Sequence, residues 1–219
     1  MKVAILLYDG MTALDAIGPF EVLANVPGFQ VEFVAEKAGP VREDSGALEL
    51  VAARGIDEVP AADLLLIPGG PGDEAVMRNA RVLDWVRRIH ASSQWTTSVC
   101  TGSLILGAAG LLRGLRATTY WMERERLREY GAEPVVERWV EDGKVWTAAG
   151  VSAGIDMALA LVQRTHGDDL AQALQLAIEY DPQPPCDAGS PEKAPPHVVA
   201  LVRSAVEAQT AARRPGAAA

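Results

Sequence analysis

The chain has 219 residues, 49% of them apolar, and a formal charge of −9 at pH 7. That length and apolar content suit one α/β domain with a substantial core, while the acidic balance argues against a polyanion-binding surface, which needs clustered Lys and Arg to displace counterions from phosphates. No apolar run approaches the roughly 18 residues that cross a bilayer, so neither membrane nor nucleic acid is expected as a partner, and the expected location is cytoplasmic.

Residues 3–8 are a short apolar run closed by Asp9 and Gly10, which reads as a first strand rather than a cleaved leader. Over residues 11–26, Leu14, Ile17, Val22 and Leu23 recur near helical spacing. Pro19 within that stretch predicts a kink or a break into two helices. Residues 31–35 and 64–67 are continuous apolar runs of the kind that parallel strands buried on both faces show. An apolar stripe over 82–89 predicts a helix, residues 96–99 a short strand, and the apolar and small residues 104–112 a further helix.

Arg124, Glu125, Arg126, Arg128 and Glu129 predict the wet face of a helix that ends at Gly131. Residues 135–140 and 144–148 flank Glu141-Asp142-Gly143, a hairpin signal with Asp-Gly at the turn. Ser152 is placed to cap a helix running through Ile155, Leu159 and Val162 to a stop at Gly167, and another helix is expected over about 169–178. Asp181-Pro182-Gln183-Pro184-Pro185-Cys186 cannot be helical, and from about Ala211 the composition has nothing to bury and predicts disorder. The alternation of strands and helices predicts a single doubly wound, mostly parallel sheet with helices on both faces. The domain is expected over residues 1–195, with a C-terminal helix and tail over 196–219.

Cys100 and Cys186 lie far apart in unlike contexts, a poor disulfide framework, and His90, His166 and His197 fall in no zinc-ligand spacing. Neither a metal nor a cofactor is expected. The sharpest local feature is Thr96-Thr97-Ser98-Val99-Cys100-Thr101-Gly102-Ser103, where an apolar strand runs into a nucleophilic residue type and small residues open a helix, as in a nucleophile elbow. A helix N-terminus favours thiolate over thiol and predicts a lowered pKa; an inert buried cysteine is the other reading of the same pattern.

Leu65-Leu66-Ile67-Pro68-Gly69-Gly70-Pro71-Gly72 ends another core strand, where open α/β sheets bind ligands. Gly70 N–H and Thr101 N–H can form an oxyanion-hole-like pair, and a plain tight turn is the alternative. In Leu14-Asp15-Ala16-Ile17-Gly18-Pro19-Phe20-Glu21-Val22, either Asp15 or Glu21 can face the thiol and carry protons, or the first can cap its helix and the second be solvated. None of the histidines lies in a motif near a strand end, so a Cys-His-acid hydrolase is weakly supported.

Together, Asp15-x-x-Gly18-Pro19-x-Glu21-Val22, Ile67-Pro68-Gly69-Gly70 and Val99-Cys100-Thr101-Gly102 resemble the PfpI-type superfamily, related to class I glutamine amidotransferase domains. The similarity runs along most of the chain. The stretches Glu179-Tyr180-Asp181-Pro182-Gln183-Pro184-Pro185 and Ala188-Gly189-Ser190-Pro191-Glu192 resemble its isonitrile hydratase branch. The resemblance implies a flavodoxin-like fold and addition of water to an isonitrile, in a homodimer without a cofactor. It makes Cys100 the nucleophile, Asp15 the general acid-base residue and Thr101 a member of the site, with Gly69 and Gly70 against the substrate. Tyr120, followed by Trp121, stands where the branch often has His after paired threonines. The pair can line an apolar wall, mark a relative with another substrate, or simply pack at a helix start. Glyoxalase- or deglycase-like chemistry and a small-molecule sensor related to AraC-type regulators are the competing readings.

Overall fold

The computed structural model describes residues 1–213; residues 214–219 of the expected disordered tail lie outside the described residues. The chain divides into two compact units at Tyr180/Asp181. In the first, the elements are β1 (Lys2–Leu6), α1 (Ala13–Leu23), β2 (Gln30–Ala35), β3 (Gly39–Arg42), β4 (Glu49–Ala52), β5 (Arg54–Gly55), β6 (Leu64–Ile67), α2 (Asp73–Met77), α3 (Ala80–Ser92), β7 (Trp95–Val99), α4 (Gly102–Ala108), β8 (Arg116–Ala117), β9 (Glu133–Pro134), β10 (Trp139–Asp142), β11 (Val145–Ala148), α5 (Ala153–His166) and α6 (Asp168–Ala177). The second unit carries α7 (Pro196–Arg213), preceded by non-helical chain in which Cys186 is exposed.

Seven strands form one sheet in the order β10-β11-β7-β6-β1-β2-β5. All neighbours are parallel except β10 and β11. Alternation along β1 sends Val3 and Ile5 into a core with α1, α5 and α6, and Ala4 and Leu6 into a second core with α3 and α4. A strand covered on both faces must be apolar throughout, which is why the run 3–8 shows no alternation. Close packing at two glycines lets helices approach the sheet and each other. A Cβ on Gly102 would stand 2.2 Å from Ile67 O, and one on Gly154 would stand 2.8 Å from Val99 and 3.0 Å from Pro19.

Several local expectations are corrected. α1 runs through Pro19 as one helix; the proline ring lies against the Gly154 turn of α5, where burial compensates for the missing donor. The hairpin turn falls at Gly143-Lys144, because Asp142 still pairs with Val145. Gly143 has φ 59°, the first central position of a type II′ turn. Ser152 sits at the N-terminal boundary of α5 without capping it; its Oγ accepts from Arg138 at 3.0 Å instead. The segment 124–130 is a 3₁₀ helix closed by Gly131 at φ 75°.

Candidate active site

β1, β6, β7 and β11 are adjacent, and the loops leaving their carboxyl ends converge: Tyr8 to Asp15, Pro68 to Asp73, Cys100 with Thr101, and Ala149 to Val151. This is where a doubly wound sheet opens a crevice. A fifth segment, missed at the sequence level, is the antiparallel hairpin of β3 and β4, whose connection places Asp44 N–H on Met11 O at 2.9 Å.

Cys100 occupies the turn from β7 into α4 at φ 55°, a left-handed conformation that costs a non-glycine residue about 1–3 kcal/mol. The surroundings hold it there. Its N–H is shared between Ala149 O at 2.9 Å and Ala148 O at 3.1 Å, and its carbonyl accepts from the Thr119 hydroxyl at 2.8 Å. Val151, at φ 24°, is strained too. The thiol is 6% exposed.

The helix-dipole expectation for this thiol is overturned. Burial, followed by the charge of Asp15, lifts the Cys100 pKa well above that of an ordinary thiol, although Thr101 N–H and Val151 N–H pull the other way. One backbone donor at the start of a seven-residue helix and one from the loop after β11 do not outweigh loss of water plus a neighbouring carboxylate. The resting residue is a protonated, enclosed thiol.

Asp15 is the carboxyl that faces it. Glu21, six positions on, is exposed on the outer face of α1. Asp15 is fully buried, and its Oδ2 accepts Gly69 N–H at 2.9 Å. Oδ1 is buried and meets no hydrogen-bond partner of good geometry. Burial raises the carboxyl to about 7; Gly69 N–H and the Cys100 thiol lower it, and the charge of Asp44 raises it further. A carboxyl with that value, beside a thiol held protonated, can take and return a proton at neutral pH.

The glycine loop serves a different purpose from the one its sequence suggests. Gly69 N–H is bound to Asp15, and Gly70 N–H donates to Thr101 Oγ1 at 3.0 Å. Thr101 N–H is turned toward the Cys100 thiol. The expected Gly70–Thr101 oxyanion pair is therefore occupied by groups of the site itself. Glycine is required at both positions by close approach: a Cβ on Gly69 would be 2.4 Å from Thr101 N, and one on Gly70 would be 2.4 Å from Thr12 N.

Three further residues belong to the site, of which only Thr119, one of the paired threonines before Tyr120, stood in a stretch the sequence singles out. Tyr8 donates to Pro68 O at 2.9 Å, and its phenol pKa is pushed up by burial and by Asp73, Asp15 and Cys100. Asp73, the first residue of α2, is buried, and burial lifts its carboxyl to about 6 against the Thr101 hydroxyl, Glu74 N–H and Arg126. Thr119 braces the elbow carbonyl. Each looks like an ordinary strand-end or loop residue until the fold brings the loops together.

Tyr120 and Trp121 are half-buried, with ring centroids 5.8 Å apart, and the Tyr120 ring packs where Gly150 has no side chain. His90 and His166 stand apart from the thiol. His90 Nδ1 bonds Thr96 Oγ1 at 2.9 Å at the opposite end of β7, His166 lies beside Phe29 at the far end of α5, and His197 is on α7. No cluster of His, Cys, Asp and Glu among the described residues could hold a metal ion.

A strained cysteine closing a central strand of such a sheet defines the cysteine-elbow class of α/β proteins. Residues 1–164 match the DJ-1/PfpI family model, and the chain belongs to the DJ-1/PfpI family. An isonitrile hydratase from Pseudomonas putida is 44% identical over 199 residues, 91% of this chain and 87% of that protein. The crystal structure of a THiJ/PfpI family protein from Pseudomonas syringae superposes with a TM-score of 0.92 at 38% identity, covering 95% of this chain and 87% of that one. An HTH-type transcriptional regulator, CdhR, from Pseudomonas aeruginosa is 28% identical over 76% of this chain, which is 51% of the regulator's length. No helix among the described residues is long and apolar enough to cross a membrane.

Proposed function

We propose that the protein is an isonitrile hydratase, a lyase adding water to R–N≡C to give the formamide R–NH–CHO through a thioimidate on Cys100. The observation that carries this reading is the Asp15–Cys100 pair: a buried carboxyl lifted to about 7 beside a thiol that retains its proton. An isonitrile carbon needs a proton before it accepts a nucleophile. In the first step the thiol proton passes through Asp15 to that carbon while sulfur bonds to the same atom, giving R–N=CH–S–Cys. One S–H is lost and one C–H is gained.

In the second step water oxygen bonds to the carbon, the C=N π pair goes to nitrogen, and nitrogen takes up the proton that water gives away. The C–S bond then breaks with its electron pair on sulfur, the hydroxyl becomes a carbonyl, and its proton returns to the thiolate. No amine departs, so the general acid that a histidine supplies in thiol hydrolases has no counterpart to serve. In this reading Gly69 and Gly70 hold Asp15 and Thr101 against the substrate, while Tyr120 and Trp121 form an apolar wall for its R group. Identity of 44% to an isonitrile hydratase over most of both chains supports the assignment. The active species is a homodimer, which light scattering on the purified chain tests.

The deciding experiment incubates the protein with a series of alkyl and aryl isonitriles and follows formamide by NMR, with intact-mass detection of an adduct at Cys100. Formamide from at least one member is expected. Saturable binding without formamide across the series would sink the hydratase reading and favour a sensor like the regulator relative. Bulk alkylation cannot stand in for this assay, since exposed Cys186 is expected to outpace buried Cys100.

A further inference from the structure

Tyr180 lies in the stretch that resembles the isonitrile hydratase branch, yet the reaction above gives it no part. Its hydroxyl donates at 3.1 Å to Asp156 Oδ1, on the first turn of α5, and Arg138 Nε donates to Asp156 Oδ2. Arg138 Nη2 donates to Ser152 Oγ at 3.0 Å, and Arg138 O accepts Ala149 N–H at 2.9 Å. One arginine, just before β10, thus grips the turn from β11 into α5 at both of its ends. An exposed ion pair alone contributes little; what matters here is the turn it spans. Ala149 O accepts Cys100 N–H at 2.9 Å, and Val151, between the gripped residues, holds φ 24°. A β-branched residue keeps such a conformation only where its surroundings over-determine it. Arg138 supplies that constraint on both sides of Val151, through its main chain at Ala149 and its side chain at Ser152. With Ser152 released, Val151 can relax to negative φ, and the Ala149 carbonyl that fixes the Cys100 amide turns with it.

We propose that Arg138 is a positioning residue for thioimidate formation, clamping the turn Ala149–Ser152 so that the Cys100 thiol stays aligned with Asp15. The inference deepens the hydratase reading and rests on it. Asp156 is the anchor of the clamp: it takes the guanidinium on one oxygen and the Tyr180 hydroxyl on the other, so the arginine is held toward Ser152 rather than swinging into solvent. The guanidinium suits this task because its rigid fork serves two acceptors at once, which a single ammonium does less well. Arg138 does not touch the substrate. It acts through the turn, and a small misplacement of the nucleophile slows bond formation more than it weakens binding.

The test follows single-turnover formation of the Cys100 adduct in the full chain, by rapid quench and intact mass over a range of concentrations of an aryl isonitrile. The rate constant at saturation does not depend on the fraction of a sample that is folded, so a role confined to stability leaves it unchanged. Arg138→Met keeps the stem and loses the donors. It is expected to lower that constant about 10-fold, with the half-saturating concentration within about 3-fold of wild type. Asp156→Ala should behave alike, and the double variant no worse than either, because both remove one clamp. An unchanged rate constant, a change in half-saturation alone, or losses that multiply in the double variant overturns the proposal. If Arg138→Met does not fold, Ser152→Ala decides: slowing of about 3-fold or more at unchanged half-saturation supports the proposal, and anything less overturns it. Wild-type protein that yields neither adduct nor formamide defeats the hydratase reading and this inference with it, whereas normal turnover with an unaffected Arg138→Met defeats only the inference.

Discussion

The two ends of the central strands treat their ionisable groups differently. At the amino end, Lys144 Nζ donates to His90 O and, at 3.2 Å, to Ser93 O, while His90 and Ser93 both reach Thr96 Oγ1. Asp63 accepts Lys2 N–H at 2.7 Å, and its carbonyl accepts from Gln94 and Trp95. The ionisable groups there meet partners, although the indole nitrogens of Trp95 and Trp146 are buried without one, and no non-glycine residue there holds a positive φ. At the carboxyl end two buried carboxyls are lifted to about 7 and about 6, one oxygen of Asp15 lacks a good partner, and Cys100 and Val151 hold positive φ. A fold sustains such costs only where surrounding contacts over-determine the geometry, and they gather where chemistry is done.

Substituting the residue that bears both strain and chemistry tests this contrast most severely. Cys100→Ser should lower formamide production by at least ~10⁴-fold. The hydroxyl fits the thiol's place, so thermal stability should stay within about 1 kcal/mol. A Ser variant retaining substantial turnover would remove the reason for the strained turn.

Asp15→Asn comes next, with a loss of about 10²–10⁴-fold in turnover, as expected when a general acid-base group is removed. It also carries a stability signature. The folded carboxyl titrates near 7 and the unfolded one near 4, so between those values the folded state holds more protons and stability falls as pH rises. The contribution is fully present below about pH 4 and gone above about pH 7, a few kcal/mol in all. Asp73, also raised, adds a slope of the same sign. Wild-type melting temperature should therefore drop from pH 5 to pH 8, and Asp15→Asn should remove the larger part of that drop. A variant as pH-sensitive as the wild type would show that Asp15 is solvated.

Gly69→Ala probes the loop between these residues. Its Cβ would press into Thr101 N, which is backbone and cannot swing aside. A destabilisation of about 1–3 kcal/mol is expected in chemical denaturation, with turnover falling more than stability because Asp15 loses the Gly69 N–H. Unchanged melting and turnover would mean the loop is free to move.

The sheet, the elbow and the glycine loop were legible because each depends on local pattern: unbroken apolar runs, a small residue after the nucleophile, paired glycines after a strand. Asp15 was half legible. One-dimensional spacing could not separate it from Glu21, since the choice turns on which face of α1 meets the Gly69 loop. Asp73 and Tyr8 were invisible, because their roles arise from loops that lie far apart in sequence, 28 residues from Asp73 to Thr101 and 92 from Tyr8 to Cys100, and are adjacent only at the sheet's end. The error over the thiol pKa has the same origin: the helix terminus is written in the sequence, but the burial and the facing carboxylate that outweigh it are not.

The smallest effect is expected at the relaxed end, from Lys144→Met. The lysine closes the carboxyl end of α3 by binding the His90 and Ser93 carbonyls, and methionine keeps the stem while losing the charge and its donors. About 1 kcal/mol should be lost, a fall of roughly 2–4 °C in melting temperature for a chain of this size. His90, whose pKa is held down first by burial and then by Lys144, should titrate at higher pH in the variant, which NMR of its ring protons measures. Turnover should stay within about 2-fold of wild type, because β7 separates this network from Cys100 by its full length. A larger loss of turnover at unchanged melting temperature would show that the amino-terminal network communicates with the elbow along β7, and that structure and chemistry are not divided between the two ends of the sheet.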